Sequence, residues 1–340
     1  MIQKNYKNIK NFFKNPKEVI AFFLPIIIMI VLLIPLDYTV TFPTGGTINI
    51  DKKIIINNEY PVEGSINSAF VRQSKGNVLM VLISKIIPNF ELEKNETIVS
   101  DNETIEDYNF RNKLYFKSSI DSSIKLAYEK ATGKDVNVTS SKIYVIYVDK
   151  NSKSNLKVQD EILKVDGKDV LSTKDIFNIL ANYKENDLVT VTVKRNNKQI
   201  NVTSKLININ NEAKLGVSIT TLYDYDIDDN IKFNFSNKES GPSGGLMFTL
   251  SIYNKLTKDD ITNGKKIVGT GTIDENGNVG EIGGVKYKFL GAIKEKADIF
   301  ICPYENYDEV IELKNKNNYN INIIKVSSFS EAIEKLSNIN

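Results

Sequence analysis

Two short segments hold the residue types that could do chemistry. Ser243 lies in Ser240-Gly241-Pro242-Ser243-Gly244-Gly245, and Lys286 and Lys288 lie in Gly283-Gly284-Val285-Lys286-Tyr287-Lys288. The chain contains no histidine. A hydrolytic serine needs a base for its proton, and the usual base is an imidazole. Without one, Ser-His-Asp and Cys-His schemes are excluded, as are HExxH metalloproteases. A serine paired with a neutral lysine remains. Pro242 suits the first position of a helix, and the flanking glycines permit a sharp turn and close approach of a substrate. The N–H groups and positive dipole end exposed there are what an oxyanion needs, with Gly244 among them. Glycine-flanked serines also simply cap helices, so this segment alone does not decide for catalysis.

The second segment must supply a lysine that is neutral near pH 7. Its pKa has to fall from about 10.4 to about 7–8, a bias of roughly 4 kcal/mol against the charged form. Burial supplies part of that, and a place in the first turns of a helix opposes the cation further. Gly283-Gly284 is expected to open such a helix. Val285, Phe289, Ala292 and Ile293 form its apolar stripe, and Lys286 and Lys288 both fall at the stripe's borders. The helical wheel does not separate them. Two solvated helix lysines are the competing reading.

The elements that must position these residues alternate strand and helix over 207–340. Strands are expected at Lys214–Thr221, Asn230–Phe235, Ile299–Cys302 and Ile321–Val326. Helices are expected at Ser243–Leu256, Val285–Ala297, Tyr307–Asn315 and Ser328–Leu336, with a hairpin of Lys266–Ile273 and Asn278–Ile282 turning at Asn276-Gly277. This pattern predicts an α+β layered domain. Before it, residues 140–206 form a small unit. It has a strand at Ile143–Val148, the run Leu156 to Val170, a helix from Thr173 to Tyr183, and a hairpin of Leu188–Lys194 and Gln199–Lys205 around Asn196-Asn197.

Residues 140–206 resemble a PDZ domain, whose signature orders a leucine, Gly-Asp, two apolar positions and Asn/Asp-Gly. Here these are Leu156, Gln159-Asp160, Ile162 and Val165, and Asp166-Gly167. Gln159 replaces the usual glycine, and Ser140-Ser141-Lys142 stands in place of the glycine-rich carboxylate-binding loop. The resemblance implies a peptide added as a strand beside Ile143, Val145 and Ile146, opposite the helix. A module used only for packing or gating is the alternative.

Residues 207–340 resemble the proteolytic domain of Lon-type serine peptidases. The likeness rests on Gly241-Pro242-Ser243-Gly244-Gly245, Thr270-Gly271, Gly283-Gly284-Val285-Lys286-Tyr287-Lys288 and Pro303-Tyr304-Glu305-Asn306. It implies a ribosomal protein S5 domain 2-like fold, Ser243 as nucleophile, Lys288 as base and Thr270 as the group orienting the lysine. Ser240 stands where many Lon enzymes carry Asp.

From residue 37 to about 95 the pattern is of short β-like runs, Tyr38–Phe42, Thr47–Ile50, Lys53–Ile56 and Asn77–Ile83, and residues 96–130 read as helices. Val19–Leu36 carries no charge and is preceded by Lys4, Lys7, Lys10, Lys14 and Lys17, with Asp37 directly after it. That pattern predicts one membrane span at 19–36, a cytoplasmic tail at 1–18 and everything later outside the cytoplasm. A cleaved signal and a buried core helix are the other readings of this run. With no GxxxxGK[ST] phosphate loop, no ATP is expected. The whole order resembles bacterial membrane-anchored PDZ-Lon peptidases, the YlbL/SepM-like branch, which implies that 37–139 completes the peptidase domain around an inserted PDZ unit.

Lys+Arg of 44 against Asp+Glu of 42 leaves a near-neutral chain, against a nucleic-acid partner. Peptide or protein substrates are the expected partners, a homo-oligomer is compatible with the sequence, and neither metal nor cofactor is implied. The lone Cys302 sits in an apolar run and reads as a core thiol. The expected function is an ATP-independent serine endopeptidase at the bacterial cell membrane, cleaving peptides or unstructured segments. An inactive membrane-tethered PDZ scaffold is the reading from another class. Intramembrane metalloproteolysis lacks its ligands and its further spans.

Overall fold

The computed structural model describes residues 13–227, 231–236 and 239–339. Most of the expected tail at 1–18, and Asn230 of the expected strand, lie outside them. The described chain divides into two units, one of residues up to Pro43 with Arg72–Ile98, the other of Thr44–Val71 with Val99–Asn340.

In the first unit Pro16–Leu32 is a helix of 17 residues with Pro at its start and Pro25 inside it. Its apolar side chains point outward; Phe22 is 57% exposed and Ile30 58%. The expected span of 19–36 is corrected here. The helix stops at Leu33, and Pro35 and Leu36 already belong to a strand, Pro35–Thr41, that pairs with Gln73–Asn77 and Glu91–Lys94. Among the described residues no helix is long and apolar enough to cross a membrane. Asn77–Ile83, expected as a strand, is mostly the helix Val78–Ser84. The Asn77 side chain accepts the Met80 N–H at 2.9 Å and caps it, a local bond that outweighs the β-prone valines.

The second unit lays down β1 (Gly46–Asn49) and β2 (Ser65–Phe70), then α1 (Ile105–Thr132). Thr104 and Asp107 cap the start of α1 reciprocally, and Gly133 ends it in the left-handed conformation. The PDZ-like strands follow: β3 (Asn137–Val148), β4 (Glu161–Val165), α2 (Thr173–Leu180), β5 (Leu188–Arg195), β6 (Lys198–Lys205) and β7 (Val217–Asp226). Their sheet runs β7-β3-β4-β5-β6. Asn196 and Asn197 take φ of 50° and 60°, the left-handed pair that a two-residue hairpin needs. Ile143, Val145, Ile162, Val191 and Leu180 share one core.

The chain then returns to the first two strands. A short 3-10 turn, Pro242–Gly244, leads into α3 (Gly245–Leu256). After it come β8 (Lys266–Gly269), β9 (Thr272–Ile273), β10 (Val279–Gly280), α4 (Val285–Lys294), β11 (Ile299–Pro303), α5 (Tyr307–Asn317), β12 (Asn322–Val326) and α6 (Phe329–Ser337). One sheet of order β1-β2-β8-β11-β12 results, with β1 antiparallel and the rest parallel. The expected single strand Lys266–Ile273 is broken at Thr270-Gly271. Only Thr272–Ile273 forms the hairpin, with Val279–Gly280.

The two-residue period of β11 sorts its side chains to two cores. Ile299 and Ile301 face the cluster that holds Leu246, Leu250 and Phe329. Phe300 and Cys302 face the cluster that holds Val285, Phe289 and Val310. The sheet is therefore covered by α3 and α6 on one side and by α4 and α5 on the other. Cys302 is fully buried, and burial pushes its thiol up to about 12.

Candidate active site

Ser243 and Lys288 approach from opposite faces of the five-stranded sheet and are linked through Thr270 where β8 ends. Ser243 lies in the 3-10 turn before α3, with Pro242 at the start of that turn. Lys288 lies in the second turn of α4, opened by Gly284 at φ 66°, a backbone conformation that suits glycine. Thr270, the first residue after β8, joins them. Its hydroxyl donates to the Ser243 carbonyl at 3.0 Å and accepts from Lys288 Nζ at 3.2 Å. The Gly271 N–H donates to the same carbonyl at 2.8 Å, so the Ser243 turn is held by two consecutive residues. The break in the expected strand frees the Gly271 N–H for this bond: a continuous ladder would have consumed it.

The structure separates the two lysines that the wheel could not. Lys288 is 4% exposed, with its amine on the Thr270 hydroxyl. Lys286 is half-buried, its ammonium 5.4 Å from the Tyr287 ring centroid. Desolvation lowers Lys288 from the ordinary 10.5 to about 7, so near neutrality much of it is the free amine. That is the protonation state a base requires.

Two supports had no role assigned from the sequence. The long helix α1 holds the Pro242–Gly244 turn and the start of α3 through several residues. The Gly241 N–H donates to the Asn112 carbonyl at 3.0 Å, and Ser119 Oγ donates to the Pro242 carbonyl at 3.4 Å. Ser123 Oγ donates to the Gly245 carbonyl at 3.0 Å and accepts from Thr249 Oγ1 at 3.0 Å. A Cβ on Gly245 would lie 2.4 Å from Ser119 Oγ, so glycine permits this approach. The only sequence signal was the small, hydroxylated character of Ser119 and Ser123 on an otherwise weakly patterned helix. The other support is Asn306. Its side chain accepts from the Ile282 N–H and donates to the Ile282 carbonyl, both at 3.0 Å, and so fixes the entry to Gly283-Gly284 and α4.

Beside Ser243 a cavity of about 350 Å³ is lined by Ile48, Ile50, Phe116, Phe235 and Phe248, with Gly244 and Ser240 at its rim. Its walls come from β1, β2, α1, α3 and the segment around Phe235, which is why no single segment announced it.

The other expected site is arranged differently. Ile143, Val145 and Ile146 are all buried. The edge of β3 where a peptide was expected is taken by β7, antiparallel along the strand from Val217 opposite Val148 to Asp226 opposite Asn137. The expectation of an open edge is corrected: the chain itself supplies the added strand.

Residues 189–338 match the Lon protease (S16) C-terminal proteolytic domain. Ser243, Thr270 and Lys288 all lie within the matched residues. Residues 131–206 match the PDZ domain family. Among curated proteins the chain is similar to Lon protease from Desulfatibacillum aliphaticivorans, 30% identical over 125 residues, 37% of this chain and 15% of that one. It is also similar to Lon protease 2 from Bacillus subtilis, 34% identical over 113 residues, 33% of this chain and 19% of the relative. The chain thus spans less than a fifth of the length of these relatives. Among solved structures, the PDZ domain of an SdrC-like protein from Listeria monocytogenes is 22% identical, covering 24% of this chain and 92% of that one at a TM-score of 0.23. The Lon match supports serine endopeptidase chemistry for this unit. The strands β1 and β2 complete the Lon domain's sheet from outside the matched residues.

Proposed function

We propose that the chain is an ATP-independent serine endopeptidase in which Ser243 is the nucleophile and Lys288 the general base. The observation that carries this is the buried Lys288 amine, lowered to about 7 by desolvation and seated on the hydroxyl that also holds the Ser243 backbone. Ser243 Oγ attacks a peptide carbonyl while Lys288 Nζ takes its proton. The first N–H groups of the Pro242–Gly244 turn, Gly244 among them, hold the oxyanion. Collapse of the tetrahedral adduct breaks the C–N bond, and Lys288 returns the proton to the leaving amine. Water, deprotonated by Lys288, then opens the acyl-serine ester and regenerates Ser243.

The apolar cavity beside Ser243 suits a large apolar side chain next to the scissile bond. With no phosphate loop in the sequence, the substrates are peptides and unstructured segments rather than folded proteins. Membrane attachment belongs to the same proposal. The helix Pro16–Leu32 exposes its apolar side chains, and lysines crowd the residues before it. At 1.5 Å per residue it reaches about 25 Å, against roughly 30 Å for a hydrocarbon core, so anchoring draws on the residues flanking the helix. The positive flank keeps the N-terminus cytoplasmic and the peptidase outside.

The test compares purified protein with its Ser243→Ala form on a casein-like unfolded substrate without nucleotide, read by mass spectrometry. Products from the wild type alone support the proposal; identical peptide patterns from both would remove it.

A further inference from the structure

In the first unit the run Val78-Leu-Met-Val-Leu-Ile-Ser-Lys-Ile-Ile87 is apolar except for Ser84 and Lys85. The helix Val78–Ser84 covers most of it, and the Ile86 and Ile87 N–H groups both donate to the Ile83 carbonyl, so the coil carries on past Ser84. Leu79, Leu82 and Ile86 fall at spacings of three and four and share one outward face, with Ile87 beside them. All four are exposed, Ile86 to 81%. The opposite face is held down: Ser74 Oγ donates to Met80 Sδ at 3.6 Å, and Phe90 after the run packs edge-to-face on Phe42 with ring centroids 5.5 Å apart. The patch also begins where the apolar helix Pro16–Leu32 stops. Val78 N–H donates to the Ile34 carbonyl at 3.3 Å, Asn77 pairs with Pro35, and Leu33 and Ile34 are themselves exposed. We propose that Leu79, Leu82, Ile86 and Ile87 form a second membrane contact, lying in the headgroup region of a lipid bilayer at the C-terminal end of the helix Pro16–Leu32.

This contact rests on the membrane attachment proposed above and supplies what that helix lacks. A reach of about 25 Å leaves it roughly 5 Å short of a hydrocarbon core, and interfacial apolar faces sink about 5–10 Å into the headgroup boundary. An apolar surface hydrogen-bonded to the end of the helix is in the place to cover that remaining depth. Lys85 stands exposed among the apolar side chains, and its stem can lie along them while the ammonium reaches lipid phosphate. A lipid surface suits the patch better than a protein does. Four side chains fall well short of the roughly 800 Å² that a stable interface takes from each partner, whereas a bilayer demands no matching shape. The two apolar surfaces are also continuous through Leu33 and Ile34, so a bilayer that receives one receives both.

The chain contains no tryptophan, so a single introduced indole reports its own surroundings. The test places the full chain in vesicles of phosphatidylcholine with phosphatidylglycerol, carrying Leu82→Trp, Ile86→Trp or, within the helix Pro16–Leu32, Leu24→Trp. All three replace an exposed apolar residue by a larger one, and circular dichroism matching wild type confirms the fold. Brominated lipids are expected to quench Leu82→Trp and Ile86→Trp at least about twofold, more strongly with bromine high in the acyl chain than near its end. Leu24→Trp is expected to show the reverse order of depth. Quenching of Leu24→Trp alone would overturn the second contact and leave the attachment standing. No quenching at any of the three positions would overturn both. Blue-shifted emission from Ile86→Trp that brominated lipid does not quench would give the patch to a protein partner or a second copy, and overturn the lipid contact.

Discussion

The Ser243–Lys288 centre carries dense sequence motifs, the PDZ-like groove a signature with two departures from it, and the structure treats the two regions differently. At the centre, Ser243, Thr270 and Lys288 converge through hydrogen bonds of 3.0 and 3.2 Å. At the groove, Ile143 and Val145 are in a strand as expected, but β7 already fills the edge beside them. The difference lies in what a motif encodes. A nucleophile turn and a buried lysine are specified by the residues that form them. An open strand edge is defined by what does not pair with it, and that depends on distant chain. Here the distant chain is a β-branched segment that sequence periodicity placed only approximately.

The largest contrast should come from the centre itself. Ser243→Ala and Lys288→Arg are each expected to lower kcat at least ~10³-fold, since the arginine side chain stays protonated and cannot act as a base. The readout is peptide hydrolysis by variants whose circular dichroism matches wild type. Retained turnover in Lys288→Arg would dissolve the distinction between the two regions.

Burial of Lys288 also has a stability consequence with a definite sign. The folded chain holds this amine at about 7 against an ordinary 10.5, so between those values the unfolded chain carries a proton that the folded chain lacks. Unfolding free energy from this group therefore rises with pH from about 7 to 10.5, and below 7 the cost is full, about 5 kcal/mol. Lys288→Met is expected to be more stable than wild type at pH 6, with the gap narrowing toward pH 10. Urea melts at the two pH values measure this, and a gap that widens with pH would contradict it.

Thr270→Val removes a hydroxyl that serves both partners at nearly constant volume. A loss of roughly tenfold in kcat, about 1.4 kcal/mol, is expected, with KM little altered. An unchanged kcat would mean that the Gly271 N–H alone fixes the turn. The smallest effect belongs to Lys286→Arg, which keeps its cation beside the Tyr287 ring. Activity within about twofold of wild type is expected, because arginine keeps the charge and can stay over the ring.

Much of the catalytic half was legible beforehand because its signals are local. Pro242 before Ser243 and Gly284 before Val285 mark helix starts by their backbone preferences, and Ser328 before Phe329 by its capping side chain. What escaped depends on tertiary contact. Asn77 reads as part of a strand until its side chain is seen capping a helix. Lys286 and Lys288 sit alike on a wheel and are distinguished only by the sheet that buries one of them. The hold of α1 on the nucleophile turn passes through backbone carbonyls and small hydroxyls, which leave no periodic trace. The apolar run near the N-terminus showed its hydrophobicity plainly, but not that its helix would end at Leu33.

The central claim is that Lys288 works as a neutral base, and the pH dependence of kcat/KM on a short peptide free of titrating groups tests it most directly. Activity should rise with pH to a plateau, with a midpoint near 7 that reports the free enzyme. A midpoint near 10.5, or a midpoint near 7 that persists in the residual activity of Lys288→Arg, would contradict it.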